Sequence, residues 1–295
     1  MSSTTSPDPR ANHRIAFQGE PGAYSHLACT QAFPALEPLP CAAFEDAFAA
    51  VQDGHAGLAL IPIENSVAGR VADIHHLMPA SRLHIIGEHF SRVNHHLLAV
   101  KGAKLSDIKT VRSHVHALGQ CRKFMREHGI TPSVAADTAG AAAEVAAKGD
   151  KHVAAIASEL AGNIYGLESL AANIEDFDHN TTRFLVMAKE PKEPAPDSGT
   201  CITTFIFRVR NVPAALYKAM GGFATNGVNM TKLESYQING AFTATLFYAD
   251  VEGHPQDIGL RHALEELEFF SAELRILGVY PAHPFRFQAR KAAIG

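Results

Sequence analysis

From Arg14 to Ala188, short apolar runs alternate with helical patterns. Ile15-Ala16-Phe17 reads as a strand running into the turn Gly19-Glu20-Pro21-Gly22, with a helix at about 25–33 behind it. Phe44, Phe48 and Val51 recur at i, i+4 and i+7, one face of a second helix. Residues 57–63 are a continuous apolar run, the pattern of a buried strand. Val134-Ala135-Ala136 and Val153-Ala154-Ala155-Ile156 predict two more strands, with an Ala-rich helix over about 138–148 between them. Strands alternating with helices predict parallel sheets covered by helices, an α/β fold. Residues 83–100 and 170–177 read as long extended runs that cross between two lobes.

The pattern changes after residues 189–199, where three prolines and several charges mark a linker. Phe205, Phe207 and Val209 alternate on a strand. A helix follows over 214–225, then strands over 228–238 and 241–250 around Asn239-Gly240, a hairpin signal. Leu260, Leu264 and Leu267 share one face of a further helix, and residues 274–280 close with a fourth strand. The order βαββαβ is that of small ligand-sensing domains of the ferredoxin-like type. The expected organisation is a tail over 1–13, a two-lobed part over 14–188, the linker, a small domain over 200–282 and a tail over 283–295.

Composition narrows the function. The formal net charge is −4, with no basic excess to recruit nucleic acid. The longest apolar runs are too short to span a membrane, and residues 1–13 lack the apolar core of a signal peptide. Cys29, Cys41, Cys121 and Cys201 form no Cys-x-x-Cys pair, which fits a reducing cytoplasm and gives no zinc site. Histidine is frequent, at 17, with pairs at His75-His76 and His95-His96. Neighbours in sequence point to opposite sides of a strand, which is wrong for joint metal ligation. No metal and no cofactor is expected.

The candidate chemistry lies in polar residues at the ends of strands and helices. Asn180-Thr181-Thr182-Arg183-Phe184 sets a hydroxyl and a guanidinium side by side at the entry to an apolar strand. Thr182 can donate a hydrogen bond to a leaving oxygen, and Arg183 can grip a carboxylate. Glu64-Asn65-Ser66 follows the strand over 57–63 at an expected helix start, where Asn65 or Ser66 caps the helix or meets a ligand. Ser113 opens a helix expected over 114–127. Gln120 lies two turns further on, roughly 10 Å along the axis, so the pair cannot hold one small group and suits opposite ends of a ligand or a lobe interface. Tyr24 and Ser25 start the helix after the Gly-rich turn, an anion-friendly terminus. Neither a nucleotide-binding loop nor a Ser/His/Asp or Cys/His set is evident. A small anionic ligand handled without a cofactor is the reading these residues support.

Gly-Glu-Pro-Gly-Ala-Tyr-Ser (19–25), Pro-Ile-Glu-Asn-Ser (62–66), Ser-His-x-x-Ala-Leu-x-Gln-Cys (113–121), Tyr165-Gly166-Leu167 and Asn-Thr-Thr-Arg-Phe (180–184) occur in the order seen in prephenate dehydratases, and the chain resembles that family over about 14–281. The resemblance implies a type II periplasmic-binding-protein-like catalytic part with its site in the cleft and a C-terminal ACT domain. It also implies a homodimer or homotetramer in the cytoplasm, serving phenylalanine biosynthesis. The implied reaction turns prephenate into phenylpyruvate, water and carbon dioxide. Thr182, Glu64, Asn65, Ser113 and Gln120 take catalytic roles, with Thr182 beside the leaving hydroxyl and Glu64 as the nearest proton source. Arg183, Phe184, Ser66, Tyr24 and Ser25 take substrate contacts. Ala214, Ala215, Leu216, Glu234 and Ser235 stand where phenylalanine binds in such sensors. Three departures are visible: Ala214 replaces a glycine, Tyr236-Gln237 replace Arg-Pro, and His114-Val115-His116 replace His-Pro-Gln. An arogenate dehydratase and a non-catalytic amino-acid sensor are the competing readings.

Overall fold

The computed structural model describes residues 11–71, 74–210, 212–238 and 241–288, without the side chains of 11, 75, 76, 238 and 241–245. The Asn239-Gly240 turn, the His75-His76 side chains and the outer parts of both expected tails lie outside the described residues. The chain forms two compact units, residues through 74 with 89–184, and 75–88 with 185 onward. The division therefore does not fall at 189–199: residues 75–88 share a unit with the C-terminal part.

In the first unit, β1 (Arg14–Gln18) is followed by α1 (Tyr24–Ala32), β2 (Glu37–Cys41), α2 (Phe44–Gln52) and β3 (Leu58–Asn65). Gly22, at φ +93° and with Ala161 where a Cβ would sit, lets the turn before α1 come in close. Strand β3 runs on through Glu64 and Asn65 and turns back as β4 (Gly69–Arg70), so the expected helix start at Ser66 is a β-turn. Next come α3 (Ile74–Ala80), β5 (His84–Arg92), β6 (His96–Ala99) and β7 (Thr110–Ser113). The expected helix over 114–127 is two, α4 (Val115–Gln120) and α5 (Arg122–Glu127). The cause is Asp176, whose carboxylate accepts from the N–H groups of Arg122 and Lys123 at 3.1 and 3.0 Å while its own N–H donates to Gln120 O at 2.6 Å. A foreign cap in the middle of the run breaks the i→i−4 ladder.

Strand β8 (Thr131–Val134), helix α6 (Thr138–Lys148), strand β9 (Val153–Ala157), helix α7 (Glu159–Tyr165) and strand β10 (Glu168–Ala172) follow. Asp137 caps α6 through Gly140 N, and Gly149 closes it in the left-handed conformation. Gly166 does the same for α7, and the Tyr165 hydroxyl donates to Pro21 O at 2.8 Å, tying α7 to the first turn. The two sheets have orders β2-β1-β3-β11-β5 and β10-β6-β9-β7-β8, where β11 spans Thr181–Ala188. They are mixed, not parallel: β1–β2, β1–β3, β7–β8 and β7–β9 are parallel, while β6 runs antiparallel to both β9 and β10. No helix intervenes between β5 and β6, so the chain enters the second sheet without the crossover that a parallel pair requires. That sheet is covered on both faces. Ala154 and Ile156 pack with Leu118 and Met125, and Ala155 and Ala157 pack with Ala142, Val145 and Ala161.

In the second unit, β12 (Cys201–Val209), α8 (Ala215–Thr225), β13 (Met230–Ile238), β14 (Ala241–Glu252), α9 (Ile258–Phe270) and β15 (Ser271–Pro281) give the expected βαββαβ order. Their sheet is antiparallel, β13-β14-β12-β15. Phe205 and Phe207 on β12 meet Ala219 and Phe223 of α8 and Leu260, Leu264 and Leu267 of α9 in one core. Residues 283–288 begin the expected tail, yet His283 N and the Arg286 guanidinium both bond to Glu88.

Candidate active site

Asn65 at the end of β3 and Thr182 at the start of β11 lie on neighbouring strands of the first sheet. The Asn65 Oδ1 accepts from Val67 N at 2.9 Å and Ala68 N at 2.7 Å, which fixes its amide in the turn. Its Nδ2 donates to Thr182 Oγ1 at 3.0 Å and to Asn180 Oδ1 at 2.8 Å. Asn180, 1% exposed, donates from Nδ2 to Gln120 Oε1 at 2.8 Å. The same oxygen lies 2.8 Å from His95 Nε2, and His95 Nδ1 is 2.6 Å from the Tyr24 hydroxyl. One hydrogen-bonded chain thus runs from α1 through the β5–β6 connection and the end of α4 to the start of β11.

Burial sets the protonation of this chain. The His95 pKa is lowered from its ordinary value chiefly by desolvation, and the Gln120 hydrogen bond and then Glu175 oppose that shift only in part. His95 is therefore a neutral imidazole near neutral pH. Desolvation pushes the Tyr24 phenol well up, with Cys121 and Glu175 adding to it, so Tyr24 keeps its proton. Among the described residues the Thr182 hydroxyl and the Gln120 amide nitrogen have no acceptor, so both can donate to a bound molecule.

The other expected site residues fall elsewhere. Ser113 is fully buried on β7, its Oγ donating to Ile156 O at 2.6 Å, and His114 rather than Ser113 caps α4. Arg183 is 3% exposed and its Nη1 donates to Glu64 Oε1 at 3.0 Å, so the expected carboxylate grip is taken by the chain's own Glu64. Glu64 is correspondingly placed as a partner of that guanidinium. Phe184 is 1% exposed and belongs to the core, not to a substrate surface. Ser66 Oγ donates to His179 O and accepts from Thr181 N, closing β3 onto β11. Ser25 lies partly buried in the first turn of α1. His95 escaped the motif reading, although Val93, His95 and Leu97 alternate with the period of an inward strand face and all three are buried. Asn180 is the other network member to which the motif gave no role. A shallow cavity of about 500 Å3, lined in part by Arg14, Leu39, Cys41, Asp46 and His55, includes none of the network. Among the described residues, no three His, Cys, Asp or Glu side chains converge as metal ligands, and no helix is long and apolar enough to cross a membrane.

Residues 15–192 match the family model described as prephenate dehydratase. The chain belongs to the prephenate dehydratase family. Membership makes it a lyase-type enzyme of aromatic amino-acid biosynthesis. The bifunctional N-acyl-homoserine lactone acylase/prephenate dehydratase of Komagataeibacter europaeus is 53% identical over 272 residues, 92% of this chain and 97% of that protein. Arogenate dehydratase/prephenate dehydratase 1 of Arabidopsis thaliana, a chloroplastic protein, is 43% identical over 282 residues, 91% of this chain and 72% of that one. Among solved structures, the prephenate dehydratase of Arthrobacter aurescens in complex with L-Phe superposes with a TM-score of 0.83 at 29% identity, covering 95% of this chain and 98% of that one. The family match ends at residue 192 and so leaves the βαββαβ segment unassigned.

Proposed function

We propose that this chain converts prephenate to phenylpyruvate, water and carbon dioxide, with regulation by phenylalanine through its C-terminal domain. The observation that carries the reading is the Thr182 hydroxyl: it accepts from Asn65 Nδ2 at 3.0 Å and so turns its own hydrogen away from the protein network. The reaction is redox-neutral. As the ring carboxylate leaves as carbon dioxide, its bonding pair flows into the ring, the ring becomes aromatic, and the hydroxyl departs with a proton as water. Thr182 stabilises the charge that grows on the departing oxygen, an interaction strongest in the transition state. Gln120 offers a second donor from its amide nitrogen, and Asn65 holds Thr182 in place. The neutral character of these groups suits the task, because a cation against the leaving carboxylate would stabilise the ground state.

The C-terminal segment over 200–282 reads as an ACT domain, with Ala214, Ala215, Leu216, Glu234 and Ser235 at the effector site of a homodimer or homotetramer in the cytoplasm. The L-Phe complex of the Arthrobacter relative supports that reading. So does the open position of α8: Ala215 and Leu216 sit in its first turn, and Tyr217 next to them is 81% exposed.

Following prephenate loss and phenylpyruvate formation with the purified full chain tests the activity, and absence of turnover overturns it. Arogenate belongs in the same assay, because the Arabidopsis relative carries both activities in its name. The Komagataeibacter relative gives a specific reason for a third arm, hydrolysis of N-acyl-homoserine lactones. For that chemistry this chain offers Ser169 Oγ 2.9 Å from His96 Nδ1, with no carboxylate orienting the ring among the described residues. Dehydration of prephenate is therefore the primary reading.

A further inference from the structure

The hydrogen-bonded chain that ends on Thr182 has a single consistent direction. Two backbone donors, Val67 N and Ala68 N, claim Asn65 Oδ1, so its nitrogen must face Thr182 and Asn180. Asn180 then meets Asn65 with its oxygen and Gln120 with its nitrogen. Gln120 must answer with its oxygen, and an oxygen that already accepts from Asn180 can only accept from His95 Nε2. His95 therefore carries its proton on Nε2, and its bare Nδ1 accepts from Tyr24 at 2.6 Å. The Tyr24 oxygen also lies 3.1 Å from Asn94 O, a second acceptor that would take the phenol proton if Nδ1 were protonated. The His95 backbone N–H is anchored to Glu175 Oε2 at 2.9 Å, which sets the depth of the ring.

We propose that His95, held in the Nε2–H tautomer by Tyr24, is a positioning residue of the dehydratase reaction: it fixes the Gln120 amide so that its nitrogen, and the Thr182 hydrogen at the far end of the chain, both point at substrate. The proposal rests on the dehydratase reading. Without the Nε2 donor, the Gln120 oxygen is held by Asn180 alone, and a half turn of the amide breaks one bond instead of two. Its nitrogen would then face Asn180, two donors would oppose each other, and Asn180 and Asn65 would have to reorient against the backbone donors of the 65–68 turn. His95 touches no reacting atom in this scheme.

The test compares His95→Gln, His95→Asn and His95→Leu in the full chain. Glutamine places an N–H where Nε2 stands; asparagine supplies only the acceptor facing Tyr24; leucine supplies neither. We expect His95→Leu and His95→Asn to lose on the order of tenfold to a hundredfold in kcat with KM nearly unchanged, as for a small misplacement of reacting groups. His95→Gln should recover most of the loss. A core role alone would instead make the compact, apolar Leu variant as active as the Gln variant. A second readout needs no substrate: 15N spectra of the imidazole should show the Nε2–H tautomer in the unaltered protein and a mixture in Tyr24→Phe. Folded Leu and Asn variants with unaltered kcat, or an Nδ1–H tautomer in the unaltered protein, overturn the proposal while leaving the dehydratase reading intact. No prephenate turnover by the unaltered protein overturns the reading, and the proposal with it.

Discussion

In the first unit a chain of neutral groups, amides, a phenol and an imidazole, is joined head to tail from Tyr24 to Thr182. The second unit carries a buried network built around carboxylates. The Glu88 carboxylate, sealed from solvent, is forked by Arg286 Nε at 2.6 Å and Nη2 at 2.8 Å. Asp250, equally buried, accepts from Thr204 Oγ1 at 2.6 Å, and Tyr280 joins at 2.8 Å. A forked ion pair holds two segments in place. A neutral chain has two ends, and here one of them is a hydroxyl with a proton to give. The first network should therefore govern rate and the second stability, and perturbing each should leave the other property nearly untouched.

The strongest way to break this contrast is to cut the chain after residue 188. The cut takes away what holds residues 75–88. Arg275 Nη2 donates to the Met78 and Pro79 carbonyls at 3.3 and 2.6 Å, and Gly278 has no Cβ because the Ile85 carbonyl occupies that space. Arg286 and His283 leave too, and with them three hydrogen bonds to Glu88. We expect the fragment 1–188 to show no cooperative unfolding transition by circular dichroism. A folded, active fragment would mean that the sequence boundary at 189–199 describes the energetics better than the compact units do.

Removing Arg286 alone is the milder version. In Arg286→Met the Glu88 carboxylate is left buried without its fork, and breaking a buried pair from one side costs about 3–5 kcal/mol. Urea denaturation measures it, and the double variant with Glu88→Leu should regain much of the loss. A cost below about 1 kcal/mol would place that pair with ordinary surface ion pairs.

On the other side of the contrast stands Thr182→Ala. One transition-state donor is worth on the order of 3 kcal/mol, about a hundredfold in kcat. The urea midpoint should barely move, because Thr182 contributes one partly buried hydroxyl. Thr182→Ser should retain most of the activity. Near-normal kcat in the alanine variant removes Thr182 from the chemistry.

These expectations also mark how far the sequence alone reached. Continuous apolar runs located β1, β3 and β9, an Ala-rich stretch α6, and period-3.6 patterns α2 and α9, because each element buries one face or both. Asn65, Gln120, Thr182 and Tyr24 were visible as motif residues and do meet in space. Their wiring was not legible, since it depends on Asp176 splitting α4 from α5 across more than fifty residues of chain. The Arg183–Glu64 pair was hidden for the same reason: a strand neighbour 119 positions away decides whether a guanidinium is available. His95 was obscured by composition, one histidine among 17. The proline-rich linker marked a boundary at 189–199, but Glu88 and Ile85 lie far upstream of Arg286 and Gly278, which they meet.

Acidification should touch both units by smaller amounts. Burial lowers the pKa of His95 and also of His26, His114 and His283 from the ordinary 6.5. Each group then binds fewer protons folded than unfolded just below that value. Their contribution is complete above about pH 6.5 and is lost as pH falls through the window down to the folded values. The Gln120 hydrogen bond and Glu175 raise the His95 value and His96 lowers it, so all three shape how His95 responds to acid. Urea midpoints between pH 7.5 and pH 5 should fall, and His95→Gln should fall less steeply. Parallel pH curves for the two proteins would show that His95 titrates no differently folded and unfolded.

The smallest effect should come from Ala214, at the N-terminus of α8, which adopts φ +61° and ψ 13°. A Cβ in the left-handed region crowds the neighbouring carbonyl, at roughly 1–2 kcal/mol, and glycine escapes that cost. Glycine also gains freedom in the unfolded chain, which returns part of the benefit, so Ala214→Gly should stabilise by about 0.5–1 kcal/mol. The conformation is enforced from both sides, because Ala215 N donates to Val212 O and Lys218 N to Ala214 O. Those bonds keep the turn in place whether residue 214 is Ala or Gly, so the substitution tests strain rather than shape. If phenylalanine binds at this turn, deleting the methyl also lets the backbone approach the polar end of the ligand, and calorimetry should show tighter binding. A gain in stability with unchanged phenylalanine affinity would separate the two, leaving the strain real and moving the effector site away from Ala214. A loss of stability would show that the left-handed turn costs alanine less than glycine gains in the unfolded chain, so that alanine at this position is stabilising.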